Sequence, residues 1–403
     1  MVVVTLPSGE LTYVPLSKRS RPSAGPSLPV RAAQFGNGLS KLQAGAAAAR
    51  GSSRASRATR ARRRAKASAN TAGSRDTYLQ NRSVSASTSV RYRHHALLFE
   101  HWCKLGRRRL GHTPDDDQSL AAYMNFLFFD GGELHEARYA MYGYCFVHRV
   151  PTRGNLWLQS KAAMRGWQKA SPEAARDPMP WLALLLLLRH LVAQNSALGV
   201  RAALALLLSF DGYLRPGEAC SLEWNQLIRP RPQAGRAFAN WSIIVAPSSS
   251  DPDVERRPAK SGQFDDTVIV GDRFSELAGR HLVRAALDAL PSGRRGFLLD
   301  LTVHRLDSVF IKAVAACQLG TLQLVPHCAR HGGASEDYAG GVRLLPAIQR
   351  HGRWMCKKSV TRYEKSGRLQ RQVAKLSADQ IRQATSAQAW LQLRLPAAIR
   401  LHM

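Results

Sequence analysis

A thirty-residue segment, Trp181 to Phe210, is almost wholly apolar, yet Arg189, His190, Gln194, Asn195 and Arg201 break it up. A membrane-spanning helix needs about 20 consecutive apolar residues, and no stretch between these polar positions is that long. The segment is read instead as two helices, apolar around most of their circumference, and such helices are stable only inside a core. The surrounding chain has to fold as a helical globule with this pair buried in it.

The chain has 403 residues, enough for two domains and a tail. Ser171 to Pro180 is polar and holds three prolines, the composition of a linker. Before it, aromatic and aliphatic residues recur at helical spacing from Tyr78 to Leu105, Leu120 to Phe128, Tyr139 to Val147 and Leu156 to Trp167, with Asp115 to Ser119 as a helix start. Residues 76–175 are expected to form a small all-helical domain. After the linker, Trp241 to Ala246 and Thr267 to Val270 read as short strands, joined by a Ser-, Pro- and Asp-rich loop containing Lys260. The rest, from Phe274, is mostly helical. The expected fold is mainly α with a small antiparallel sheet (α+β), its second domain spanning 176–403. The tail, Leu369 to Leu395 with Trp390 and Leu391, suits either a cap on its own domain or a contact with a neighbouring subunit.

Residues 1–75 carry fourteen Lys or Arg and one acid, Glu10, and from Leu16 to Arg75 no apolar period is sustained. Such a stretch cannot offset the entropy of ordering and is read as a disordered basic arm. Its Arg57 to Lys66 cluster has the character of a nuclear localisation signal or a loose DNA tether. A nuclear location is favoured over an organelle, because an Arg- and Ser-rich transit peptide more often begins at the first residue. The whole chain has a formal charge of +30 and a pI near 10.9, the footprint of a protein that neutralises phosphates. A GC-rich coding sequence also inflates Arg, but the excess is unevenly distributed, and the chain beyond the arm still keeps a surplus of seventeen positive charges. Both parts are expected to touch nucleic acid. The six cysteines lie far apart without a Cys-x-x-Cys pair or a recognisable secretory leader, which points to reduced thiols inside a cell.

Within the second domain five residues fall into an informative spacing. His327 and Arg330 are three apart, Tyr363 lies nine after Trp354, and Arg215 stands upstream in Tyr213-Leu-Arg-Pro-Gly-Glu218. Together they suit a site that grips a phosphate and attacks it. Cleaving a phosphodiester without metal or water needs a nucleophile that becomes covalently attached, and a tyrosine phenolate can attack and later leave. Tyr363, in Arg362-Tyr-Glu-Lys365, has neighbouring cations that would favour its phenolate. Charge building on non-bridging oxygens calls for permanently charged, forked donors, the part given to Arg215 and Arg330. Arg215 follows an apolar helix and directly precedes Pro216, a good first helical residue. Glu218 either orients Arg215 or favours the helix N-terminus electrostatically. His327 would assist proton transfer or donate to the phosphate, and Trp354 would pack beside the site and donate its indole N–H. His331 forms an i, i+4 pair with His327, but no carboxylate or thiol stands at ligand spacing, so it is read as accessory and the site as metal-free.

These residues sit in three blocks: Gly212-Tyr-Leu-Arg215-Pro-Gly-Glu218 within Leu204 to Leu227, Pro326-His327-Cys-Ala-Arg330-His331, and Arg350-His-Gly-Arg-Trp354 through Tyr363-Glu-Lys365. On them, residues 178 to about 370 resemble the catalytic domain of tyrosine recombinases, the phage-integrase family, and most those of eukaryotic mobile elements. The resemblance implies a first arginine box with its following acid at Glu218, a His-x-x-Arg box, and Tyr363 as nucleophile nine residues after a His or Trp. It also implies a lysine on the hairpin of a small sheet, a place that Lys260 fits as general acid for the departing 5′ oxygen. Residues 76–175 resemble the family's helical core-binding domain in size and place only. The implied partner is double-stranded DNA, held between two basic domains mainly by phosphate contacts. No cofactor, small-molecule substrate or membrane is implied. The implied activity is site-specific recombination or integration through a 3′-phosphotyrosine, with two duplexes exchanged by a homo-tetramer. Two alternatives stand beside it: strand swivelling as in type IB topoisomerases, and a catalytically silent, recombinase-derived DNA-binding protein.

Overall fold

The computed structural model describes residues 83–111, 113–172, 176–235, 238–247, 266–271, 281–364 and 366–403, and the backbone of two strands at 2–5 and 11–14. The chain divides into two compact units, Met1–Ala174 and Ala175–Met403, the division falling inside the proline-rich 171–180 stretch.

In the first unit, β1 (Val2–Thr5) pairs antiparallel with β2 (Leu11–Val14), Val2 opposite Val14. This hairpin departs from the expectation of an unstructured arm over 1–75. Its strands are rich in β-branched residues and flank Pro7-Ser-Gly9, a turn sequence. The Arg57 to Lys66 cluster lies outside the described residues. Four helices follow: α1 (Ala86–Leu105), α2 (Thr113–Phe129), α3 (Leu134–His148) and α4 (Leu158–Ala170). Their apolar faces meet in a core of Phe99, Leu120, Met124, Met141, Tyr144 and Trp157. Asp117 lies inside α2, not at its start. It is buried and caps α4, accepting from the Ser160 N–H at 2.9 Å, the Ser160 hydroxyl at 2.6 Å and the Gln159 N–H at 2.8 Å. An internal carboxylate thus satisfies the free donors of a neighbouring helix start.

In the second unit the apolar segment forms α5 (Trp181–Ala193) and α6 (Ala197–Asp211). The turn between them has Asn195 at φ +46°, and the Ser196 hydroxyl then caps α6 by accepting from the Gly199 N–H at 3.1 Å. From Leu204 to Leu208 no α6 side chain is more than 1% exposed, so the helix is surrounded on all sides. After α7 (Pro216–Cys220), β3 (Leu227–Ile228), β4 (Trp241–Val245) and β5 (Asp266–Val270) form an antiparallel sheet in that order, with Trp241 opposite Val270 and Ile243 opposite Val268. The protein is therefore mostly helical with a small three-stranded antiparallel sheet. The two-residue β3 is too short to leave a readable alternation. Helices α8 (His281–Asp288), α9 (Val303–Ala316), α10 (His327–Ala339), α11 (Leu345–His351), α12 (Gly367–Val373) and α13 (Ala378–His402) complete the unit. Within the chain α13 packs on α5 and α8 and buries Leu391, Leu395 and Ile399. Among the described residues no helix is long and apolar enough to cross a membrane. All six cysteines are free.

Candidate active site

The site begins where α6 stops. Gly212 caps the helix, and Tyr213 takes φ +46°, turning the chain so that Arg215 becomes the N-cap of α7. Arg215 is extended (φ −70°, ψ 148°), as a residue before proline must be. Its N–H donates to Glu218 Oε2 at 2.9 Å, and its Nη1 donates to Glu218 Oε1. Glu218 therefore does both things foreseen for it: it fixes the arginine and supplies negative charge at the helix N-terminus.

Helix α10 brings Arg330 to the same place because Gly332 and Gly333 let it lie directly on its neighbours. A Cβ at Gly332 would stand 2.1 Å from the Met179 carbonyl oxygen, and one at Gly333 only 1.9 Å from that of Phe210. No other residue fits at either position without moving the helix. The Arg330 side chain is 1% exposed, and its two outer nitrogens donate to the carbonyls of Tyr213 and Gly352. Its guanidinium lies over the Trp354 ring, 4.6 Å from the centroid, and Nη1 is 3.7 Å from Glu218 Oε2. Beneath it, the Tyr213 hydroxyl and Arg343 both donate to buried Asp337.

Arg353 had no role assigned from the sequence. It takes φ +55° in the turn after α11, its side chain is 2% exposed, and its Nη2 donates to Glu218 Oε2 at 2.5 Å. Its Nε is 3.6 Å from Asp266 Oδ2, while Nε and Nη1 make no hydrogen bond. Three guanidinium groups thus converge on one carboxylate. Burial pushes the Glu218 carboxyl up, but Arg353, the Arg215 N–H and side chain, and Arg330 prevail and hold it below its ordinary 4.5. Burial, with Arg215 nearby, brings Arg330 down to about 9.

Tyr363 closes a 3₁₀ turn, Thr361–Tyr363, and is 3% exposed. Its ring sits 5.3 Å from that of Trp354, and its hydroxyl lies 2.7 Å from His331 Nδ1. The expectation that cations favour the phenolate fails here: burial outweighs Arg362, Arg330 and Arg368 and pushes the phenol up to about 12. Burial, then His327 and nearby arginines, holds His331 down to about 3, so its imidazole is neutral. In the neutral tautomer that carries its proton on Nε2, the phenol donates and Nδ1 accepts. His327, one turn earlier, packs its ring edge-on against His331 at 5.0 Å. Beyond Tyr363, α12 is moored by Asp177, which accepts from Arg368, Arg371 and Gln372 at 2.7 to 3.1 Å.

Residues from the three sequence blocks thus form one contiguous network: Arg215, Glu218, Arg330, His331, Trp354 and Tyr363, with His327 against it. Lys260 lies outside the described residues; the strand that follows its loop begins at Asp266, beside Arg353. Among the described residues no group of His, Cys, Asp or Glu is placed to hold a metal ion. The network sets a cluster of three arginines around Glu218 next to a phenol within hydrogen-bond distance of an imidazole. No family model matches the chain, and no curated protein matches its sequence.

Proposed function

We propose that this protein cleaves and rejoins DNA strands through a covalent 3′-phosphotyrosine at Tyr363, acting as a recombinase or integrase of the tyrosine type. The observation that carries the reading is the convergence of Arg215, Arg330, Trp354 and Tyr363 from distant parts of the sequence onto one point, with Tyr363 hydrogen-bonded to a histidine at 2.7 Å. In the reaction, Tyr363 Oη bonds to phosphorus while the bond to the 5′ oxygen breaks. That oxygen takes a proton, the part given to Lys260. The arginines balance charge on the non-bridging oxygens. The ester is exchanged, not hydrolysed, so a second 5′ hydroxyl can reverse the step on the same or another strand. Exchange between two duplexes by four protomers, in the nucleus, completes the proposal.

A silent DNA-binding protein is the second reading, favoured by one observation: Tyr363 and Arg330 are both almost fully buried. Nicked suicide duplexes separate the two. Covalent protein–DNA complexes that survive denaturant, and vanish in Tyr363→Phe while DNA binding persists, support strand transfer. Tight binding without any complex, across a library of duplexes, supports the silent protein.

A further inference from the structure

The hydrogen bond of the phenol goes to His331, not to the histidine of the His-x-x-Arg pair. His331 stands on α10, which Gly332 and Gly333 let lie directly on the backbone of Met179 and Phe210. It lines a small cleft with Tyr363, Ser335, Arg176, Arg362 and Arg368. Resting on the strand-transfer reading, we infer that His331 is the general base of the reaction: Nδ1 takes the Tyr363 proton as Oη bonds to phosphorus, and returns it when the strands rejoin.

The electrostatics make this step conditional on DNA. The charged or titratable groups around His331 are His327 and Arg330 on its own helix, Arg362 on the Tyr363 turn, Arg368 on α12 and Arg176 on the segment before α5. Burial, His327, Arg362, Arg330 and Arg368 all oppose an imidazolium. In the free protein, therefore, the phenol keeps its proton and the nucleophile is inert. A phosphate diester seated among these groups adds the missing negative charge, so that a proton on His331 becomes tolerable only when the substrate is present. Proton balance closes: one proton moves from Oη to Nδ1, and a separate acid, Lys260 in the proposal, supplies the 5′ oxygen.

A leaving group that needs no proton isolates this step. A duplex from the adduct-forming set is made with p-nitrophenol esterified to its 3′-terminal phosphate in place of the departing strand. Attack by Tyr363 then releases coloured p-nitrophenolate directly. His331→Gln, with DNA binding intact, is expected to slow release by about 10²- to 10⁴-fold, the usual worth of a general base. His331→Ala is expected to be as slow and to be partly restored by added imidazole, and this comparison decides the matter if the Gln variant does not bind DNA. Release at the wild-type rate in a His331 variant overturns the inference while leaving strand transfer standing, as does a His331 defect confined to natural leaving groups. A wild-type protein that forms no Tyr363 adduct on any DNA removes the parent reading and this one with it.

Discussion

Glu218→Gln keeps the shape of the side chain and removes the one carboxylate that both Arg215 and Arg353 hydrogen-bond and that Arg330 approaches at 3.7 Å. Two of those guanidiniums are 1% and 2% exposed, so water cannot replace the lost charge. The amide also points an N–H at a donor on one side. Removing one partner from a buried ion pair costs about 3–5 kcal/mol, and in a unit of this size each kcal/mol lowers the melting temperature by about 2–4 °C, giving a fall of roughly 6–20 °C. Thermal and urea denaturation of both proteins measure it. The acid dependence is a second check. Because the folded Glu218 carboxyl titrates below its ordinary 4.5, its ionised form stabilises the fold fully above that pH and ceases to as pH falls through the folded value. The gap between wild type and Glu218→Gln should therefore close in acid. Adding Arg353→Met should recover part of the loss, since it removes one uncompensated charge. A loss below about 1 kcal/mol, the range of a surface pair, or a gap that stays constant into acid, would refute the idea that this carboxylate holds the cluster together.

Gly333→Ala places a methyl 1.9 Å from the Phe210 carbonyl oxygen, so α10 must shift; a loss of at least about 1–3 kcal/mol is expected, with covalent DNA attachment falling as His331 leaves Tyr363, whereas a neutral urea midpoint contradicts the close packing. In the free protein the Tyr363 phenol should ionise only near pH 12, seen as the difference in phenolate absorbance between wild type and Tyr363→Phe; ionisation at or below the ordinary 10.0 would mean that the arginines, not burial, prevail. Leu395→Ala, at a fully buried position of the tail helix, should cost about 2–5 kcal/mol. That loss should be independent of protein concentration because α13 packs on its own unit; a concentration-dependent melting temperature would argue for a docked neighbour.

The apolar pair α5 and α6, the strands β4 and β5 and the three motif blocks were legible because each leaves a local pattern: continuous apolar runs, alternation, or polar residues at fixed spacing. Glu218 was legible for the same reason, one turn from Arg215. Arg353 was not, since one arginine among so many gives no signal, and its burial depends on a turn at φ +55° that only the folded chain reveals. The pairing of His331 with Tyr363 spans 32 residues and depends on how α10 meets the Thr361–Tyr363 turn, so spacing alone left His331 as an accessory residue. The acidity of Tyr363 was misjudged because adjacent cations show in a sequence and burial does not. Asp117 likewise looked like the start of its own helix, and in the fold it caps another.

The central claim is that Tyr363 becomes esterified to DNA. Nuclease digestion of the denatured complex, followed by peptide mass spectrometry, reads that bond directly. A nucleotide carried on Tyr363 through its phosphate, absent from Tyr363→Phe, is the predicted result. Attachment at any other residue, or a wild-type protein that binds DNA and never carries a nucleotide, would contradict the account.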